Sequence, residues 1–177
     1  MLLETERLLL RLPGPDDAPP LLDVFGDPEV MRYIGSGETG GPADVVTQLE
    51  RMAEAWEADG FGRFVVVRRD DGAVLGRVGL LAWDPEEWRP GIRAAIGAEA
   101  EIELGWTLAR HAWGQGYATE AAQAAAEWAL AEVRPRRLIS LIHPENERSK
   151  RVAERIGERR AGGVATCHGI EAELWSF

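Results

Sequence analysis

Apolar and polar positions recur along this chain in two periods, and the changes of period mark its elements. "RLLLRLP" (Arg7–Pro13) is leucine-dense and stops at Pro13-Gly14-Pro15, which predicts a first strand. "PDDAPPLLDVFGD" predicts a short helix that Asp16 or Asp17 caps, because prolines are tolerated in a first turn. "DPEVMRYIG" (Asp27–Gly35) predicts another helical turn, and "SGETGGP" (Ser36–Pro42) a loop. From Ala43 to Ala58, Val46, Leu49, Ala53 and Trp56 recur at helical spacing, with Gly60 beyond the end.

The period then becomes that of a sheet. Arg63–Arg69 and Ala73–Trp83 flank Asp70-Asp71-Gly72, and Asp-Gly supplies the positive backbone angles that tight hairpin turns need. Asp84–Ala100 reads as an irregular excursion. Glu101–Leu108 alternates, with Ile102, Leu104, Trp106 and Leu108 on one face. Gly116–Ala131 is an alanine-rich helix, and Arg136–His143 is a continuous apolar strand of the kind buried at the centre of a sheet. Glu145–Gly157 is a helix closed by glycine. Two more strands are expected around Arg159–Ala165 and Ile170–Phe177. A hairpin followed by β-α-β predicts a mixed α/β sheet, and neither a repeat nor a low-complexity linker divides residues 1–177, so one domain is expected.

Composition narrows the function. The 177 residues are 45% hydrophobic and 28% charged, which is ordinary for a globular protein with a real core. No stretch approaches the ~20 apolar residues of a membrane span. "MLLETERLLLRL" mixes charges among its leucines and does not read as a signal peptide. The single cysteine, Cys167, allows neither an intrachain disulfide nor a CxxC metal site, so a cytoplasmic, metal-free protein is expected. The net charge of −10 argues against nucleic acid as a partner. That charge is uneven. Residues 1–133 carry 11 Lys/Arg against 24 Asp/Glu, whereas residues 134–177 carry 9 against 6. The basic excess at Arg134–Arg160 is either a solvated surface or a landing site for a small anion.

The chemistry concentrates in "HAWGQGYATEAAQAAAEWAL" (His111–Leu130), where Gly114 and Gly116 precede a helix. The first N–H groups of a helix lack internal partners, the helix dipole is positive there, and glycine lets backbone approach an anion closely. Strand-Gly-x-Gly-helix is therefore a sound phosphate cradle, although it also serves as a plain turn. The dinucleotide fingerprint fails because its third glycine position is Thr119, and no P-loop Gly-Lys-Ser/Thr occurs.

Three spaced motifs add specificity. Glu103-Leu104-Gly105-Trp106 matches E-[LI]-G-[YW], Trp113–Ala121 matches W-G-x-G-Y-A-T-E-A, and Asn146, Ser149 and Gly157 match N-x-x-S followed by a glycine. With these, the chain resembles the GNAT superfamily of acetyl-coenzyme A-dependent N-acetyltransferases. The nearest branch is the RimJ/RimL type, which acetylates ribosomal-protein N-termini. The opening "LETERLLLR" is also like that branch, and the resemblance runs through nearly the whole chain. Departures are His111, where the superfamily often has Gln or Arg, and Glu158, where Phe usually follows the glycine.

The resemblance implies an α+β fold whose mostly antiparallel central sheet contains a splayed pair of strands. It implies that the pantetheine arm of acetyl-coenzyme A pairs with the backbone of Gly105, Trp106, Thr107 and Leu108. The pyrophosphate would rest on the amides of Trp113, Gly114, Gln115, Gly116, Tyr117 and Ala118. Arg110, Arg148, Lys150 and Arg151 become candidates for the nucleotide phosphates, each equally readable as solvated helix charge. Asn146 would hold the cofactor arm, or else cap its helix. Ser149, on the same helical face, would protonate the departing thiolate, or else be a surface serine. Glu103 is the leading general base and His143 the runner-up. Arg32, Tyr33, Trp83 and Trp88 are candidates for the acceptor side, whereas Trp56, Trp106 and Trp128 read as core. The expected acceptor is a peptide N-terminus or a small-molecule amine, with a homodimer left open. The alternative is a non-catalytic acyl-coenzyme A-binding module of the same fold. Trp113 matches the family, but its spacing supplies no physical reason for an aromatic there.

Overall fold

The hairpin signal at Asp70-Asp71-Gly72 is answered in a computed structural model of the chain, which describes residues 1–167 and 169–177. Strands β3 (Arg63–Arg68) and β4 (Val74–Asp84) pair antiparallel around it. Only Gly72, at φ 72°, takes a positive angle, so the turn is longer than a two-residue one and the register shifts between Val66 and Val67. Ahead of β3 lie β1 (Leu2–Glu4), β2 (Leu8–Arg11), α1 (Ala18–Phe25), α2 (Pro28–Met31) and α3 (Pro42–Asp59). The expected Arg7–Pro13 strand is shorter than its leucines suggest. It is preceded by β1, a strand the pattern did not announce. Asp17 makes no side-chain cap to α1; its carboxylate accepts the Gly14 amide at 2.8 Å in the preceding 3-10 turn and pairs with Arg11 at 2.5 Å, while Asp27 caps α2.

The Asp84–Ala100 excursion contains β5 (Arg89–Gly91), which pairs with the end of β4, and α4 (Arg93–Ile96). Then follow β6 (Glu101–Leu108), α5 (Tyr117–Trp128), β7 (Leu138–Ile142), α6 (Glu147–Ile156), β8 (Arg159–Ala165) and β9 (Glu171–Ser176). A π-helical turn, Ala129–Val133, extends α5. Among the described residues the sheet order is β1-β2-β3-β4-β6-β7-β9-β8, with β5 beside β4. Every pair is antiparallel except β6–β7. This is the mixed, mostly antiparallel sheet the sequence predicts, with the apolar strand β7 inside it.

Two cores lie on its two faces. On one, Leu10, Phe64, Leu80, Ile102 and Leu104 pack with the alanines of α5. Each such Leu or Phe, fully buried, contributes roughly 1.5–3 kcal/mol. Alanine at 121, 122, 125 and 126 lets α5 lie close to the sheet. On the other face α1 and α3 cover Val65 and Val67. The buried stripe of α3 is Val45, Leu49 and Met52, one position away from the expected Val46 and Ala53, which are exposed. Both stripes have helical spacing, and the direction of approach to the sheet selects one.

Glu158, just past α6, is completely buried. Ser140 Oγ lies 2.9 Å from its Oε1 and 2.8 Å from the Leu104 carbonyl. One hydroxyl proton cannot serve both acceptors. A protonated Glu158 that donates to Ser140 completes the chain to Leu104. Burial pushes the Glu158 carboxyl up to about 7, the Ser140 bond opposes this, and Glu103 adds to it. The fold therefore binds more protons than the unfolded chain between the usual 4.5 and about 7. Stability falls as pH rises through that window and levels above it. Glu158→Gln keeps a donor to Ser140 and removes the titration. Its melting temperature should gain on the parent's from about pH 5 to about pH 8. A difference between the two that does not change with pH would disprove this role.

Candidate active site

After Leu108 the chain passes through a 3-10 turn, Arg110–Ala112, before α5 begins. Gly114 (φ 74°) and Gly116 (φ 82°) both occupy the left-handed region, where a side chain would be strained. As a result the amides of Gly114, Gln115, Gly116, Tyr117, Ala118 and Thr119 donate to no acceptor among the described residues. Six free N–H groups at the N-terminus of a 12-residue helix, where the dipole adds about +0.5 charge, form an anion seat.

The tryptophan before these glycines now has a physical reason. Trp113 Nε1 donates to the Leu108 carbonyl at 2.8 Å, and the Arg148 guanidinium lies 4.2 Å over its ring. The position needs a flat face and an N–H together, which ties the end of β6 to the start of α6. Arg7 braces the loop from the other side. It pairs with Glu120 at 2.6 Å, donates to the Gln115 carbonyl at 2.9 Å and lies 4.6 Å over Tyr117. Thr5 adds a 2.6 Å bond to Glu120. Thr5 and Arg7 stand in the opening LETERLLLR segment, more than a hundred residues away in sequence, where no local pattern announces this bracing role.

Beside the loop, β6 and β7 part. They pair only at Ile102–Leu138 and Glu103–Ile139, and Ser140 Oγ makes one further tie to Leu104. Beyond it one edge of Gly105–Leu108 faces no strand, while the other edge stays paired to β4 up to Gly76–Leu108. Trp106 packs against the core clusters on both sides of the gap.

Glu103 stands where the strands divide. Trp83 Nε1 donates to its Oε2 at 2.7 Å, so Trp83 orients this carboxylate. Burial raises the Glu103 carboxyl above its ordinary value, against the pull of Arg63, the Trp83 bond and Arg77. His143 accepts the Glu145 amide on Nδ1 at 3.1 Å, and its ring lies 4.9 Å from that of Tyr33. Arg32 in turn lies 5.2 Å over Tyr33. Trp88 is tied by its carbonyl to the Cys167 amide, at the β8–β9 connection.

On α6, the Asn146 side-chain oxygen caps the Ser149 amide at 3.1 Å, so that atom is used by the helix while the side-chain NH2 stays available. Lys150 is committed to the Pro144 carbonyl, to Glu147 at 3.1 Å and to Glu173 at 3.4 Å. Arg110 is exposed and pairs with Asp27 at 3.2 Å.

The model of the acetyltransferase (GNAT) domain matches residues 7–159. This chain belongs to the GNAT family. YnaD of Bacillus subtilis, an uncharacterised N-acetyltransferase, is 29% identical to it over 177 residues, 99% of this chain and 92% of YnaD. The solved GNAT acetyltransferase of Bacillus anthracis superposes with a TM-score of 0.79 at 26% identity, covering 100% of this chain and 98% of that one. RimL, the ribosomal L7/L12 α-N-protein acetyltransferase solved with coenzyme A, shares the fold at TM-score 0.78 and 14% identity, covering 100% and 97%. The protein is accordingly a GNAT N-acetyltransferase, and acetyl-coenzyme A is the donor. The residues present fit that donor. Free amides at a helix N-terminus suit a diphosphate, and an open strand edge suits an amide-bearing arm.

Trp113→Phe keeps the stacking surface and removes the bond to Leu108. It should lower stability by about 1 kcal/mol and weaken coenzyme A binding. Denaturant unfolding and a coenzyme A titration check this. Unchanged affinity would mean that Trp113 does not shape the loop.

Proposed function

We propose that this GNAT enzyme transfers acetyl directly to a primary amine, with donor and acceptor bound together. The acceptor is a protein N-terminus or a small-molecule amine, as in the RimJ/RimL-type branch, and residues 1–177 act as one domain. The observation that carries the reading is the run of free amides from Gly114 to Thr119 beside the open edge of β6, with Glu103 at the parting of the strands.

Acetyl-coenzyme A supplies the thioester that the amine attacks. The loop amides hold the pyrophosphate, and Gly105–Leu108 pairs with the arm as an added strand would. The Asn146 NH2 adds a donor there. Of the basic candidates, Arg148 has no carboxylate partner among the described residues, whereas Lys150 is matched by Glu147 and Glu173 and Arg110 by Asp27. Glu103 takes a proton from the acceptor's ammonium, directly or through water, and the neutral amine so formed attacks. Its raised pKa brings it nearer the operating pH, which strengthens a general base. Trp83 positions it. Ser149 Oγ returns a proton to the departing thiolate. His143 is the weaker base, because its Nδ1 lone pair is engaged and the neutral ring keeps its proton on Nε2. With Tyr33 and Arg32 it lines the acceptor side.

Two substitutions test this by free-thiol release over a panel of amines and short peptides. Glu103→Gln should cut kcat/KM roughly 10²- to 10⁴-fold and leave thermal stabilisation by coenzyme A intact. Gly116→Glu should abolish that stabilisation. Full turnover in the first variant would remove Glu103 from the mechanism, and full stabilisation in the second would remove the loop from the donor site.

A further inference from the structure

We infer that the amine acetylated by this enzyme carries its own carboxylate, a few bonds away, seated between Arg63 and Arg77. The inference rests on the acetyl-transfer reading and names its acceptor class.

Arg63 on β3 and Arg77 on β4 are on the sheet face that carries Glu103. Arg77 is 8% exposed. Its Nη1 donates to Gln48 Oε1 at 2.8 Å, and its guanidinium lies 4.7 Å over the Phe25 ring, so α3 and α1 hold it with uncharged groups. Among the described residues, no carboxylate oxygen comes within 4.0 Å of either guanidinium. Buried charge without a counter-ion is costly, and structures tolerate it where a ligand supplies the partner. Burial disfavours the charge on both guanidiniums, for Arg77 the neighbouring Arg63 adds to this, and the more distant charge of Glu103 offsets it only in part.

Glu103 is the nearby carboxylate, and it is held apart. Its Oε2 takes the Trp83 bond at 2.7 Å, and its Oε1 lies 3.7 Å from where a Cβ on Gly105 would stand. Gly105 faces Gly79 across the β4–β6 ladder, and Gly79 faces Arg63 across the β3–β4 ladder. The ladder positions that separate Arg63 from Glu103 on this face are therefore glycines. Arg63 and Glu103 stand two strands apart, about 10 Å laterally, so their long side chains could meet directly. Instead Trp83 holds Glu103, and no ion pair joins it to Arg63 among the described residues. A small amino acid bridges them, its amine at Glu103 and its carboxylate at the arginines, whose planar forks match a carboxylate. The charges are complementary as well: the two cations pair with the ligand's carboxylate, and Glu103 pairs with its ammonium. The chain's −10 would draw a cationic acceptor, whereas this face selects an anionic group.

The test is a calorimetric titration of the coenzyme A-saturated protein with glycine, β-alanine and γ-aminobutyrate, each against its carboxamide. At least one carboxylate should bind roughly 10- to 100-fold tighter than its amide. Arg77→Gln and Arg63→Gln should each bring the ratio near one, and Arg63→Lys should restore part of it. Stabilisation by coenzyme A, retained in each variant, reports an intact fold. Should Arg77→Gln fail to fold, Arg63, which is only partly buried, decides alone. Equal binding of acid and amide, no binding of any acid, or a preference that survives the Arg63 change would overturn the inference. Acetyl transfer is read separately. Arg-dependent carboxylate binding without transfer would leave the carboxylate seat standing and remove these amino acids as acetyl acceptors.

Discussion

The structure turns on the parting of β6 from β7. A parallel pair that stayed zipped would spend every backbone group of Gly105–Leu108 on the sheet. Here the ladder covers two positions, Ser140 makes a last tie, and the strands separate. Trp106 fills the root of the gap. The parting leaves a polar edge inside an otherwise apolar sheet and brings the Gly114–Gly116 loop beside it. It also places Glu103 at the vertex, where burial is deep enough to raise its pKa and Trp83 still reaches it.

The vertex is electrostatically connected to its surroundings in both directions. Behind it, Glu158 raises the question of a second buried carboxyl. The Ser140 hydroxyl answers by linking that carboxyl to the Leu104 carbonyl, one residue from Glu103. In front of it stand Arg63 and Arg77, which hold the Glu103 carboxyl down while burial raises it. A carboxylate between a hydrophobic sheet and two guanidiniums keeps a pKa that either side can move, which suits a group that must both take and release a proton. The positive loop amides lie beyond the open end of β6, and the arginine pair stands on the sheet face that carries Glu103.

The fold was legible in the sequence because most of its elements carry a clean period. β6 has the bounds its alternation predicts, and Gly157 ends α6 in the left-handed conformation. The misreadings came where local pattern is degenerate. Val45 and Val46 both continue a helical stripe, and only the sheet beneath chose between them. β1 is three residues long and β5 contains a proline, so neither has enough length to announce itself. At the site, the motif residues were visible, but the partners that hold them were not. Trp83, expected on the acceptor side, donates its indole N–H to Glu103, twenty residues on in sequence but on the neighbouring strand.

Sequence alone determined the order of elements, the family, and the identity of the loop that opens α5, because period, glycine placement and motif spacing are local properties. Only the tertiary structure decided which polar atoms are already spent. Asn146 Oδ1 and Lys150 Nζ are engaged within the protein, the amides from Gly114 to Thr119 are free, and Arg63 and Arg77 lack a carboxylate among the described residues. Hydrogen bonds and ion pairs depend on distances of a few ångströms between residues far apart in the chain, and no spacing in the sequence encodes them.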